Sequence, residues 1–267
     1  GSQDVRVFNL TTASGHSSGT GSNIGGTSAD NGFAIQNTSD GGRIVSGMTR
    51  SFGGGSADLY LMKLDAAGTL MWAKAYGGSG NEMGNMVRET FDGGFIVTGH
   101  SKSYSADGTK DVYLLKTDPF GVPMWAKTYG SVFPGIDDAY DVRQTVDSGY
   151  VVTGYMNMDA GMLSGGAPSG VTSNDVFLMK TDALGGVTWI QFYTQFPPSV
   201  SLKDIGRSVV EVPGGLGYGI AGYTESYSVF SFDGFLILTD PFGIPALGAS
   251  WLYGTPAWDD KIFSLEW

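Results

Sequence analysis

The chain repeats itself, and this limits its fold more than any other feature. The segment Asp58-Leu-Tyr-Leu-Met-Lys-Leu-Asp65 returns as Asp111-Val-Tyr-Leu-Leu-Lys-Thr-Asp118 and as Asp175-Val-Phe-Leu-Met-Lys-Thr-Asp182. A fourth copy, more worn, reads Asp233-Gly-Phe-Leu-Ile-Leu-Thr-Asp240. The opening aspartates stand 53, 64 and 58 residues apart by subtraction. Self-similarity at that period marks repeated supersecondary units, none of which buries its apolar face alone.

Each unit divides into strands. The quoted segment is apolar at nearly every position, as in a strand covered on both faces. Asp65-Ala-Ala-Gly68, Asp118-Pro-Phe-Gly121, Asp182-Ala-Leu-Gly185 and Asp240-Pro-Phe-Gly243 follow. Asp first, Pro second and Gly fourth suit a type I turn, so strand reverses directly into strand. The next strand carries Trp72, Trp125, Trp189 and Trp251. Tyr76, Tyr129 and Tyr193 stand four residues further on, and an even offset places Trp and Tyr on one face. Met86-Val-Arg-Glu-Thr90, the Asp92-Gly93-Gly94 turn and Phe95-Ile-Val-Thr-Gly99 form a hairpin signal. Four strands joined by short antiparallel connections describe a propeller blade.

The combination DVYLLKTDPFG, PMWAKTYG and DGGFIVTG resembles the secreted bacterial and archaeal β-propeller repeats of the SBBP type. The spacing of Asp65, Gly68 and Trp72 is also similar to the tryptophan-docking repeats of quinoprotein-like propellers. The resemblance spans residues 32 to 254 and speaks for architecture. It leaves activity open, since such repeats occur in adhesins, scaffolds and enzymes alike.

The predicted fold is all-β. It is a β-propeller of four complete four-stranded blades, Gly32 to Gly77, Gly84 to Gly130, Tyr140 to Thr194 and Gly206 to Gly254, plus a partial fifth blade. The fifth is assigned to the chain termini: Asp4 to Thr11 resembles a third strand and Asp260 to Trp267 a first strand. The alternative is a closed four-bladed propeller with terminal strand extensions. Residues 1–31 read as an N-terminal strand and Gly/Ser-rich linker, and residues 32–267 as the propeller domain. A chain of this length buries roughly 70–75% of its surface on folding and needs no staples.

Composition removes several functions. With no Cys, thiolate metal sites and Cys nucleophiles are excluded, and His16 and His100 are too few for a zinc site. A net charge of −11 argues against nucleic acid and against anionic membrane. No apolar run approaches the roughly 18 residues of a membrane span, so a soluble, secreted or cell-surface chain without membrane insertion is expected. No Ser lies in a G-x-S-x-G elbow, and no spaced glycine loop opens a helix. Asn9 and Asn37 sit in glycosylation sequons.

The remaining chemistry is carboxylate chemistry. Glu82, Asp137, Asp138, Asp204, Asp259 and Asp260 precede first strands and gather on the face of the long connections. Their repeat-equivalent places favour a structural role over Ca²⁺ ligation or a glycosidase acid/base pair. No cofactor is expected, and Ca²⁺ is the one ion such carboxylates suit. Trp72, Trp125, Trp189 and Trp251 read as structural repeat core. Lys63, Lys116 and Lys180 read as structural partners of strand-end carboxylates such as Asp65.

These features predict an extracellular, non-enzymatic structural or interaction propeller. Met156, Met158 and Met162 mark an interaction loop between Tyr155 and Asn174. The strand Val5, Arg6, Val7, Phe8 and Leu10, on a flexible leash, suits donation to a neighbouring subunit in a homo-oligomer or filament. The alternative is a carbohydrate-binding or carbohydrate-active propeller that meets surface glycans with its acidic long-loop face.

Overall fold

The computed structural model describes residues 6–9, 25–130, 135–159, 172–193, 203–225, 232–253 and 259–266. Every regular element among them is a strand. Four antiparallel sheets run in chain order. The first holds β2 (Asp30–Asn37), β3 (Arg43–Thr49), β4 (Asp58–Leu64) and β5 (Leu70–Gly77), with β1 (Arg6–Asn9) added outside β5. The second holds β6 (Glu82–Glu89), β7 (Phe95–Ser101), β8 (Asp111–Thr117) and β9 (Pro123–Tyr129). The third holds β10 (Asp138–Gln144), β11 (Tyr150–Asp159), β12 (Thr172–Thr181) and β13 (Val187–Tyr193). The fourth holds β14 (Asp204–Glu211), β15 (Tyr218–Thr224), β16 (Asp233–Thr239) and β17 (Pro245–Tyr253).

Two compact units result: Gly1–Gly108 with Tyr113–Thr128, and Thr109–Val112 with Tyr129–Trp267. In the first, β6 lies against β2, β3 and β4. Its core joins Ile44, Leu59, Leu61, Tyr76, Val87, Phe95, Val97, Tyr113 and Leu115. In the second, β14 lies against β10, β11 and β12, around Val151, Leu178, Val209, Tyr218, Ile220, Phe235 and Ile237. Meander sheets stacked face on face are the construction of propeller blades.

Two recurring devices hold turn to sheet. Lys63, Lys116 and Lys180 are buried, and each ammonium reaches the aspartate of its own sheet's first hairpin turn: Asp40 at 2.7 Å, Asp92 at 2.9 Å and Asp147 at 2.8 Å. Each also donates to the carbonyl of the next residue, Leu64, Thr117 or Thr181. The partner is therefore the hairpin turn, not the strand-end Asp65 expected from chain proximity. Asp65 instead accepts the Thr69 N–H within its own turn. Where the fourth sheet has Leu238, its turn reads Pro213-Gly214-Gly215 and carries no aspartate.

The second device crosses between sheets. The Tyr76 hydroxyl donates to the Gly121 carbonyl at 2.8 Å, Tyr129 to Gly185 at 2.7 Å and Tyr193 to Gly243 at 2.7 Å. The acceptor is always the glycine that closes the next sheet's Asp-x-x-Gly turn. Trp72 and Trp189 are half-buried, and their rings press on Gly121 and Gly243, where an added Cβ would meet them at 2.9 and 2.7 Å. These glycines have φ of +71° and +77°, so the position excludes a side chain twice over.

Several expectations change. The N-terminal strand pairs with the outer edge of β5, Arg6 opposite Gly77 through Asn9 opposite Lys74, rather than building a fifth blade. Residues 259–266 form no strand, because they spend their hydrogen bonds singly. Asp260 N–H bonds the Phe232 carbonyl, Leu265 N–H bonds the Ser208 hydroxyl, and Arg143 donates to the Leu265 carbonyl. Met156 and Met158 sit in strand β11, opposite Asp175 and Ser173, because the β11–β12 hairpin runs on past the expected loop start. Met156 is buried. Val5, Leu10, Met162 and His16 lie outside the described residues, as do the side chains of Arg6, Val7, Phe8 and Trp251.

Candidate functional site

The first strand of every sheet carries a bulge two or three residues past its start. The ladder skips Phe33 between Gly32 and Ala34, Asn85 between Gly84 and Met86, Tyr140 between Ala139 and Asp141, and Arg207 between Gly206 and Ser208. The cause lies on the second strand. At Gly47, Gly99, Gly154 and Gly222 an added Cβ would collide with the first strand's backbone carbonyl at Asn31, Met83, Asp138 and Ile205. A bulge re-aims the residue it leaves unpaired.

In the second unit the re-aimed residues meet. The Arg207 guanidinium stacks on the Tyr140 ring at 4.0 Å and lies 5.3 Å from the Phe263 ring. Tyr140 faces Tyr155 at 6.1 Å, and Tyr223 faces Phe263 at 6.1 Å and Phe232 edge-on at 5.2 Å. Lys261 caps the far end, 3.7 Å over Phe232 and 5.0 Å over Tyr223, with Asp259 3.7 Å away. Offset and tilted rings alternating with cations are mutually attractive. The Phe263 side of the layer is open to solvent, that residue being 57% exposed.

Carboxylates flank the layer. Asp137 and Asp138 are 1% and 5% exposed, and Asp137 accepts the Asn157 N–H at 2.7 Å. Asp204, 6% exposed, accepts the Thr224 hydroxyl. Burial first, and then the Asp138 charge, push the Tyr140 and Tyr155 hydroxyls well above the usual phenol range, so both remain donors at neutral pH. The result is a set of apolar ring faces with hydroxyl donors, an arginine and anionic acceptors beside them. That combination suits a ligand with C–H faces and many hydroxyl groups.

Of the residues singled out in the sequence, Asp137, Asp138, Asp204, Asp259 and Asp260 lie in this unit, and Glu82 lies in the other. Trp125 is half-buried on β9. His100 is buried in β7. Among the described residues no three His, Asp or Glu side chains gather as a metal-binding group, and no helix is long and apolar enough to cross a membrane. Sequence reading missed Tyr140, Arg207, Tyr223, Phe232 and Phe263. The signal for the first two was present in the repeated Val-Thr-Gly and Ile-Ala-Gly, whose glycine marks the bulge opposite.

The chain thus belongs structurally with all-β, propeller-like proteins. No family model matches it, and no curated protein matches. Among solved structures it is similar to that of a thermostable family-43 glycoside hydrolase. The TM-score is 0.45 at 12% identity, over 80% of this chain and 70% of that one. The expectation of a non-enzymatic chain is corrected: one solved structure it is similar to is that of a hydrolase.

Proposed function

We propose that the protein is a carbohydrate-binding or carbohydrate-active propeller outside the cell or at its surface, with its site at the bulged strand ends of the second unit. One observation carries the reading: an exposed Phe263 ring continuous with Tyr140, Tyr223, Phe232 and Arg207, beside the carboxylates Asp137, Asp138 and Asp204. Sugar C–H faces would stack on the rings, and hydroxyls would bond the polar groups at the rim. The four meander sheets are taken as four blades, which fits the four-bladed alternative with terminal extensions.

The test is a glycan array together with hydrolysis of a polysaccharide panel, on the wild type and on Phe263→Ala and Tyr140→Phe. The wild type binds one glycan class. Phe263→Ala weakens that binding at least about tenfold, a loss of roughly 1.4 kcal/mol, without a lower melting temperature. Released sugar would identify catalysis. A wild type that neither binds nor cleaves any member overturns the reading.

A second reading is favoured by β1. Its ladder to the outer edge of β5 needs only an edge and a strand, so a neighbouring chain can supply the same strand and build a head-to-tail homo-oligomer or filament. Deleting residues 1–12 then reduces the size of the species in solution. Equal, monomeric sizes before and after deletion exclude it.

A further inference from the structure

The junction of β4 and β6 in the first unit holds two carboxylates that face each other. Asp58 opens β4 and is 1% exposed, and Glu82 opens β6 with no exposure. They belong to neighbouring sheets, yet a Cβ added to Gly77 would collide with Asp58 Oδ1 and Glu82 Oε2 together, so both oxygens crowd one point. Their donors are unequal. Glu82 accepts the Gly78 N–H at 2.9 Å, the Ser101 hydroxyl at 2.8 Å and the Ser103 N–H at 3.0 Å. Asp58 accepts the Gly55 N–H at 3.2 Å through Oδ2, while its buried Oδ1 has no hydrogen-bond partner.

Two anions this close repel, and a buried acceptor without a donor is disfavoured. A single proton on Asp58 Oδ1 removes both penalties, since it donates to Glu82 Oε2 and leaves the better-supplied carboxylate as the anion. We propose that Asp58 and Glu82 share one proton, and that this proton is a clasp between two sheets that loosens as the pH rises. It would tie the Gly53–Gly55 segment, which Asp58 holds, to the Gly77–Gly80 segment, which Glu82 holds.

The surroundings agree. Every hydrogen-bond donor to the pair is a neutral N–H or hydroxyl. Tyr104 donates to the Gly77 carbonyl at 3.0 Å, and Tyr113 on β8 faces Glu82 and Tyr76. Asp30, across Thr49 on the same sheet edge, is held ionised by Thr49, Ser51 and Gly26 against its burial. Lys102 follows β7 and meets Asn81 through its backbone. Burial first, and then the Glu82 charge against the loop N–H bonds, push the Asp58 carboxyl up to about 6.

In the second unit Asp175 on β12 is buried and accepts the Ser173 hydroxyl at 2.8 Å. Burial first, and then the Asp204 charge against the Ser173 hydroxyl, push Asp175 up to about 6. The exposed Lys203 stands beside Asp204 in the chain, its backbone bridged to Asn174.

Thermal unfolding of the full chain tests the proposal. The wild type should melt at least about 5 °C higher at pH 5.0 than at pH 7.5, roughly 1–2 kcal/mol for a chain of this size. The Asp58→Asn/Asp175→Asn variant carries amide N–H donors in place of the protons. At pH 7.5 it should melt near the wild-type value at pH 5.0, with most of the rise gone. A wild type whose melting temperature is flat or falls on acidification overturns the proposal. So does millimolar CaCl₂ at pH 7.5 raising the wild type by as much as acid does, because the vacant acceptor then takes a cation. If the variant does not fold, carboxyl ¹³C titration of the wild type decides: an Asp58 midpoint near 6 supports the shared proton, and one below 5 refutes it.

Discussion

Lys116 shows how a buried charge is made tolerable. Its ammonium is met by Asp92, by the Thr117 carbonyl and by little water. The aspartate is half-exposed, which screens the pair, so its worth lies mainly in the penalty of leaving Lys116 alone. Asp92→Ala should therefore cost about 1–3 kcal/mol in urea unfolding. Adding Lys116→Leu should recover part of that loss, because Leu238 over a turn without aspartate is the natural solution in the fourth sheet. If the double variant is no more stable than the single, the cost belongs to the turn and not to the lysine. The recurrence of lysine was legible in the sequence. Its partner was not, because Asp65 is near in the chain while Asp40 is brought near only by the β2–β3 hairpin.

At the scale of elements, each sheet is completed by the next one's turn. Trp72 tilts against Phe95 at 6.0 Å and Trp189 against Tyr218 at 5.8 Å, and both rings also cover a turn glycine. Removing such a ring should cost about 3 kcal/mol, the lower end for a large aromatic since these are half-buried. Trp72→Ala and Gly121→Ala should therefore lower the denaturant midpoint in the same direction, and a neutral Gly121→Ala would refute the docking. The strands, their turns and the pairing of Trp with Tyr could all be read from periodicity. Periodicity did not show the bulges, whose signal lay instead in the second-strand glycines Gly154 and Gly222 that face the first strand's carbonyls. For that reason the sequence pointed to the acidic residues and missed the aromatic layer built by Tyr140 and Arg207.

At the scale of the whole molecule, two sets of carboxylates pull stability in opposite directions with pH. Asp40, Asp92 and Asp147 are held below the usual carboxylate value. Asp40 owes this first to Lys63. Asp92 and Asp147 owe it to the turn hydroxyl and lysine bonds overcoming burial, which leaves Asp147 at about 2. They stabilise the fold above the unfolded-state value near 3.8, and that contribution is lost as the pH falls towards 2. Asp58 and Asp175 lie at about 6, so their contribution is full below 3.8 and lost as the pH rises through 6. The melting temperature measured across pH 2–8 should therefore peak at about pH 4–5, on the acid side of neutrality. The relief of a net charge of −11 works in the same direction.

The tyrosine bonds also give assembly a direction. Each reaches forward along the chain, by 45, 56 and 50 residues, and none of the three reaches back. A sheet emerging from a ribosome or a secretion pore therefore waits about fifty residues before its last hydrogen bond can close, and then closes without needing the far end of the chain. Folding can proceed behind the moving front, one clamp at a time.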